Sequence, residues 1–171
     1  RHKTAKNRIV VGLGTCGIAA GGEKVMTAIK EQAAARGLDV AVDFTSCIGM
    51  CYREPVVEVA VAGAPSVIYG DIYPDKVEML LESIENKTPV FEWAAMQIPN
   101  GAAPYEGIAI MDQSPYYAKQ VRSVTSRLGR VNPESIVDYM ATGGYEGIEK
   151  ALKMDRMAVI DEVKKSGLRG R

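Results

Sequence analysis

Ser-Cys-Ile-Gly-Met-Cys-Tyr-Arg-Glu-Pro-Val-Val-Glu-Val-Ala-Val-Ala-Gly-Ala-Pro-Ser-Val-Ile-Tyr, residues 46–69, is the stretch that decides the architecture. It opens as a tight loop in which Cys47 and Cys51 flank Ile-Gly-Met. It continues as two β-rich runs, residues 55–62 and Ser66–Tyr69, joined by Ala-Gly-Ala-Pro. The pattern predicts a hairpin, with Gly63 in the permissive turn position. Upstream, residues 8–14 begin Arg-Ile-Val-Val-Gly-Leu-Gly, a β-branched run stopped by glycine that predicts a buried strand. Residues 23–36 repeat Val25, Met26, Ile29, Ala33 and Ala34 at helical spacing and meet a stop at Gly37. Residues 38–45 alternate Val40, Val42 and Phe44 with Asp39, Ala41 and Asp43, the signature of a strand with one buried face. After the hairpin, residues 73–84 return to helical periodicity.

The order is therefore β-α-β, a cysteine loop, then β-β-α, which predicts an α/β layer with a mixed sheet in a thioredoxin-like arrangement. Gly12-Leu-Gly-Thr-Cys-Gly17, after a strand and before a helix, formally matches the dinucleotide fingerprint, with Asp39 and Asp43 as candidate ribose acids. A dinucleotide fold continues with a crossover helix to a third parallel strand. Here a cysteine loop and a hairpin follow instead, which argues against that reading.

Residues 86–114 change to Pro- and Gly-rich text with only short apolar pieces, as a connection does. Beyond them the pattern is helical. Ser114-Pro115 starts one segment, and Asn132-Pro133-Glu134-Ser135 starts another with Asn132 as cap and Pro133 in the first turn. Ile148, Leu152, Val159, Ile160 and Val163 mark further helices over 145–153 and 155–166, the last stopped by Gly167. The expected organisation is a thioredoxin-like domain over 1–87, a linker over 88–113 and a small helical segment over 114–171.

Of the 171 residues 47% are hydrophobic, and twenty-one basic side chains balance twenty-one acidic ones. Such a chain has no global field to hold it on nucleic acid or on an anionic membrane. Its apolar stretches fall well short of the roughly 20 residues that span a bilayer, so a soluble protein is expected. Three cysteines cannot pair completely and are too few for a stapled secreted scaffold, which favours a reducing cytoplasm. The chain starts at Arg1-His2-Lys3 without methionine and ends on Gly-Leu-Arg-Gly-Arg, and it reads as part of a longer protein.

Cys16, Cys47 and Cys51 are the candidate chemistry. Thiols at loop tips on one sheet edge can converge on a metal, and flanking glycines let backbone N–H groups approach the sulfurs, as iron–sulfur ligation requires. Spacing alone leaves other readings open: a Cys3His zinc site using His2, a thiol redox pair, or cysteines that merely pack. His2 lies in a charged terminus, structural zinc favours Cys-x-x-Cys knuckles, and a thioredoxin-type dithiol wants Cys-x-x-Cys at a helix start. Met26, Met50, Met79 and Met96 share no spacing and read as filler or interface residues, as do the tyrosines. Lys119, Arg122, Arg127 and Arg130 read as a solvated face.

Gly-Thr-Cys-Gly-Ile-Ala-Ala-Gly (14–21), Cys-Ile-Gly-Met-Cys (47–51) and Glu-Pro-Val-Val-Glu-Val (54–59) resemble the thioredoxin-like [2Fe–2S] ferredoxin domain. Lys119-Gln-Val-Arg122, Asn132-Pro-Glu-Ser-Ile136, Tyr139, Gly143-Gly-Tyr145 and Val163-Lys-Lys-Ser-Gly-Leu-Arg-Gly-Arg171 resemble the approach to the NADH-binding flavoprotein subunit of NADH:quinone oxidoreductase. The same segment occurs in NAD-linked and electron-bifurcating hydrogenases and in formate dehydrogenases.

The resemblance implies an NADH-oxidising or NAD-reducing iron–sulfur flavoprotein subunit in a multi-subunit complex, with other iron–sulfur redox subunits and NADH as partners. Cys16, Cys47 and Cys51 would be [2Fe–2S] ligands, and Gly170 and Arg171 would begin an FMN-binding loop. FMN, NAD and [4Fe–4S] would belong to a later part, and no catalytic residue would lie within these 171. The family's first cysteine has no counterpart, because a four-residue gap before Cys16 falls on Val11 and a gap shortened by one falls on Gly12. A group such as Asp43, Tyr52 or solvent could complete the ligand set, or a partner chain could supply it. Alternatively, the domain has lost its cluster and serves as a docking module that assembles the flavoprotein with its partners.

Overall fold

The computed structural model describes residues 7–170. Five strands form one sheet in the order β2-β1-β3-β4-β5, where β1 is Asn7–Gly12, β2 Val40–Thr45, β3 Val57–Ala60, β4 Ser66–Tyr69 and β5 Ala94–Ile98. β1 and β2 are parallel, joined through the helices α1 (Thr15–Ala19) and α2 (Gly22–Ala35). β3, β4 and β5 add antiparallel, each to the strand before it in the sheet. A βαβ half feeding a ββα half, closed by α3 (Val77–Glu85), is the thioredoxin-like topology, and the fold is α/β.

Alternation along the strands builds two apolar layers. Ile9 and Val11 of β1, Val57 and Val59 of β3, and Val67 and Tyr69 of β4 face Val25 and Ile29 of α2 and Leu80, Leu81 and Ile84 of α3. The hairpin register sets Val57 opposite Tyr69 and Val59 opposite Val67, so its apolar cross-strand pairs fall in that layer. Gly63, at φ +79°, makes the turn. On the other face Met50, Val56, Ile68, Met96 and Tyr117 form a smaller cluster.

Two stretches differ from the sequence expectation. Ala94–Ile98, inside the stretch read as a connection, is a strand of the sheet, anchored by the fully buried Gln97. The Gln97 amide donates to the carbonyls of Tyr105 and Ile108 and its oxygen accepts from the Tyr105 N–H at 2.8 Å, which satisfies a polar side chain in the core. The helix expected from Ser114 does not form. Residues 115–131 are successive turns, such as Tyr117 N–H to Ser114 O at 3.1 Å and Leu128 N–H to Thr125 O at 3.1 Å.

The chain divides between Asn132 and Pro133 into two compact units. The second contains α4 (Ile136–Ala141), α5 (Glu146–Leu152) and α6 (Arg156–Ser166), none of which buries a residue. The cap of α4 is Ser135, whose hydroxyl accepts from the Asp138 N–H at 3.1 Å; Asn132 instead donates to Asp43 at 2.8 Å. Asp155 caps α6 and Gly167, at φ +66°, ends it as expected. Val163, Leu152 and Leu168 remain exposed. Among the described residues no helix is long and apolar enough to cross a membrane.

Candidate metal centre

The three cysteines come from the two connections at one end of the β1–β2 pair. Cys16 lies not in a loop, as expected, but in the first turn of the short helix α1. Cys47 follows β2, and Cys51 starts a 3-10 turn, Cys51–Arg53, that returns the chain to β3. Glycine lets these segments meet. A Cβ on Gly14 would lie 2.9 Å from both the N and the Cβ of Cys47, and a Cβ on Gly17 would lie 2.1 Å from the carbonyl oxygen of Gly12. Both clashes are with backbone or the base of a side chain, so neither position accepts a larger residue without displacing a cysteine-bearing segment.

The sulfurs of Cys47 and Cys51 are 3.5 Å apart, and the Gly49 N–H donates to Cys47 Sγ at 3.2 Å. Two sulfurs each about 2.3 Å from one tetrahedral metal, as in zinc–thiolate sites, stand about 3.8 Å apart, so this pair is close to the spacing that one metal atom requires. Cys51, by hydrogen bonding and then by charge, pushes the Cys16 thiol up from its ordinary value. Burial, with Cys51 and Glu54 adding to it, pushes Cys47 to about 11, and the Gly49 N–H works against that rise.

Two tyrosines that sequence reading treated as filler hold the cysteine loop. Tyr116 donates to the carbonyl of Gly49 at 2.6 Å and Tyr117 to that of Ile48 at 2.8 Å. Their rings stand edge to face at 4.9 Å, and Arg122 lies 5.8 Å over the ring of Tyr117. The one sequence cue was two adjacent tyrosines just after Ser114-Pro115.

The oxygen donors proposed from sequence are placed elsewhere. Asp43 is engaged with Arg8 at 3.2 Å, the Phe44 N–H at 2.8 Å and Asn132, while Tyr52 is 67% exposed with its ring against Tyr116. Glu54 is the residue that reading missed. It is 6% exposed, and it lines a cleft with Gly12, Thr45, Glu58, Asp112 and Arg122 on the sheet face away from the helices. Burial raises its carboxyl, against the Val56 N–H and the neighbouring Cys47 thiol.

Among the described residues no three His, Cys, Asp or Glu side chains surround a point that would hold a single metal ion. A [2Fe–2S] group spreads its protein ligands over two irons, two on each, and the Cys47–Cys51 pair with Cys16 beside it suits that distribution. Gly170 is exposed, with open space around its Cα. Arg171 and His2 lie outside the described residues.

No family model matches the chain. The NADP-reducing hydrogenase subunit HndB of Solidesulfovibrio fructosivorans is 36% identical over 91 residues, which are 52% of this chain and 71% of that protein. The chain belongs to the HndB family. A second hydrogenase subunit of the same organism, HndC, is 55% identical over 53 residues, 31% of this chain, and the chain spans only 11% of HndC. Among solved structures, two of a thioredoxin-like [2Fe–2S] ferredoxin from Aquifex aeolicus are each 21% identical to this chain. They cover 52% and 57% of the chain and 95% and 98% of their own, at TM-scores of 0.47 and 0.48.

Proposed function

We propose that the chain is part of an NAD(P)-linked, hydrogenase-type iron–sulfur flavoprotein, in which its thioredoxin-like unit relays electrons between the NADH/FMN couple and other iron–sulfur centres. The observation that carries this reading is the meeting of Cys16, Cys47 and Cys51 at one sheet end, with two sulfurs 3.5 Å apart. Similarity to two different subunits named for NADP-reducing hydrogenases supports it, since one chain then joins features of both. When bound, a [2Fe–2S] group supplies a one-electron carrier beside a two-electron nicotinamide–flavin couple.

This chain's residues would serve that role in distinct ways. Cys16, Cys47 and Cys51 would hold the irons. The Gly49 N–H would donate to the Cys47 thiolate and favour the more negative form, while Tyr116 and Tyr117 would fix the loop and keep water from it. In the same reading the thioredoxin-like part runs through β5, beyond the boundary at 87 expected from sequence, and the chain after it approaches an FMN/NADH-binding domain, with Gly170 and Arg171 opening the FMN loop. The exposed Leu152, Val163 and Leu168 support that assignment, because apolar side chains left on a helix surface mark where further protein packs. FMN, NAD and [4Fe–4S] are assigned to other parts of the complex, and the partners are iron–sulfur redox subunits.

Cys47→Ser in the full protein tests the relay. Loss or displacement of the visible and paramagnetic signals of the reduced protein, with assembly intact, is the expected outcome. Unchanged spectra with normal assembly would replace the relay by a cluster-free docking module.

A further inference from the structure

We propose that Glu54 supplies the missing fourth ligand, so that the centre is held by three cysteine sulfurs and one carboxylate oxygen. The assignment rests on the iron–sulfur reading above and names the group that completes it.

The place of the missing ligand is fixed by the strand. Val11 is fully buried in the layer facing the helices, with Ile9 and Val57, and serves the core there. Gly12 is the remaining position. A Cβ built on Gly12 would lie 3.3 Å from Glu54 Oε2 and 3.5 Å from Oε1, and a Cβ on Gly17, next to Cys16, would lie 3.2 Å from Oε2. The Glu54 carboxylate thus fills the space that a ligating side chain at position 12 would occupy.

The state of that carboxylate points the same way. Oε2 accepts the Val56 N–H at 2.8 Å, while Oε1 is buried without a hydrogen-bond partner. A buried acceptor left unmatched is costly and rarely kept without a reason. A carboxylate with one oxygen tied to the backbone and the other bare is set for monodentate ligation. Asp43 and Tyr52 offer no such free, inward atom.

The chemistry is balanced. A carboxylate carries the same single negative charge as the thiolate it replaces, so the total ligand charge is unchanged. What is lost is one sulfur-to-iron charge-transfer donor, and mixed ligation of a two-iron centre is established chemistry.

The test uses the full chain, anaerobically loaded with ferrous iron and sulfide. It compares wild type, E54Q, E54C and the double variant G12C/E54A for iron and sulfide content, visible absorption and electron paramagnetic resonance, with far-ultraviolet circular dichroism as the check on folding. Expected are a loss of at least half the iron in a folded E54Q, and retention in E54C with stronger sulfur-to-iron absorption and displaced g values. Expected too is recovery of iron in G12C/E54A, whose new cysteine enters the vacated space. If E54Q matches wild type in iron, absorption and resonance, the ligand assignment fails while the iron–sulfur reading stands. If wild type takes up no iron, both fail.

Discussion

Gly17→Ala isolates the close packing that sets α1 and Cys16 against β1. In most helix interiors this substitution is favourable by up to about 1 kcal/mol. Here the added methyl would sit 2.1 Å from the Gly12 carbonyl oxygen and 2.9 Å from its carbon. Ordinary carbon–oxygen contacts lie near 3.3 Å, so the overlap is about 1.2 Å against backbone that has no rotamer to change. Overpacking of this kind costs about 1–3 kcal/mol or more. With the propensity gain subtracted, a net loss of about 2 kcal/mol is expected, and the urea midpoint should fall by about 1 M for a slope of about 2 kcal/mol/M. Gly147→Ala in α5 is the control, because no atom lies within 4 Å of its Cβ position and only the propensity gain applies. A Gly17→Ala midpoint equal to or above wild type would refute the reasoning.

Leu80→Ala empties a fully buried position between α3 and the sheet and should cost about 2–5 kcal/mol, read as a lowered midpoint in the same urea titration. Tyr117→Phe removes the hydrogen bond to the Ile48 carbonyl at a cost of about 1 kcal/mol, and faster amide exchange at residues 48–51 should report the loosened cysteine loop. Burial pushes the Tyr69 phenol up to about 12, so its contribution to stability is complete below the unfolded value of 10. That contribution, roughly 3 kcal/mol for two pKa units, is lost as pH rises through 12. Absorbance at alkaline pH should show a late-titrating tyrosine that Tyr69→Phe removes.

Where burial is written as periodicity, the fold was legible. The α2 repeat, the alternation of β2 and the hairpin with Gly63 all follow from side chains that must share a face. β5 was not legible because Ala94 and Ala95 carry little apolar signal and Gln97 is a polar residue satisfied by Tyr105 and Ile108, in a later loop. The turns over 115–131 mimic helical spacing, but Pro115, the β-branched Val121, Val124 and Thr125, and Gly129 at φ +79° suit turns better than a continuous helix. The cysteines could be named from spacing and flanking glycine. Glu54 could not, because its position opposite Gly12 exists only once β1 and β3 are paired. Asp43 was the natural acidic candidate by sequence, yet Arg8 and Asn132 engage it in the fold.

The most direct test of the iron–sulfur account is iron and acid-labile sulfide analysis of the anaerobically purified chain, with electron paramagnetic resonance after reduction. The account expects about two iron and two sulfide per chain and a spin-half signal; protein protected from oxygen that carries neither iron nor a signal would contradict it.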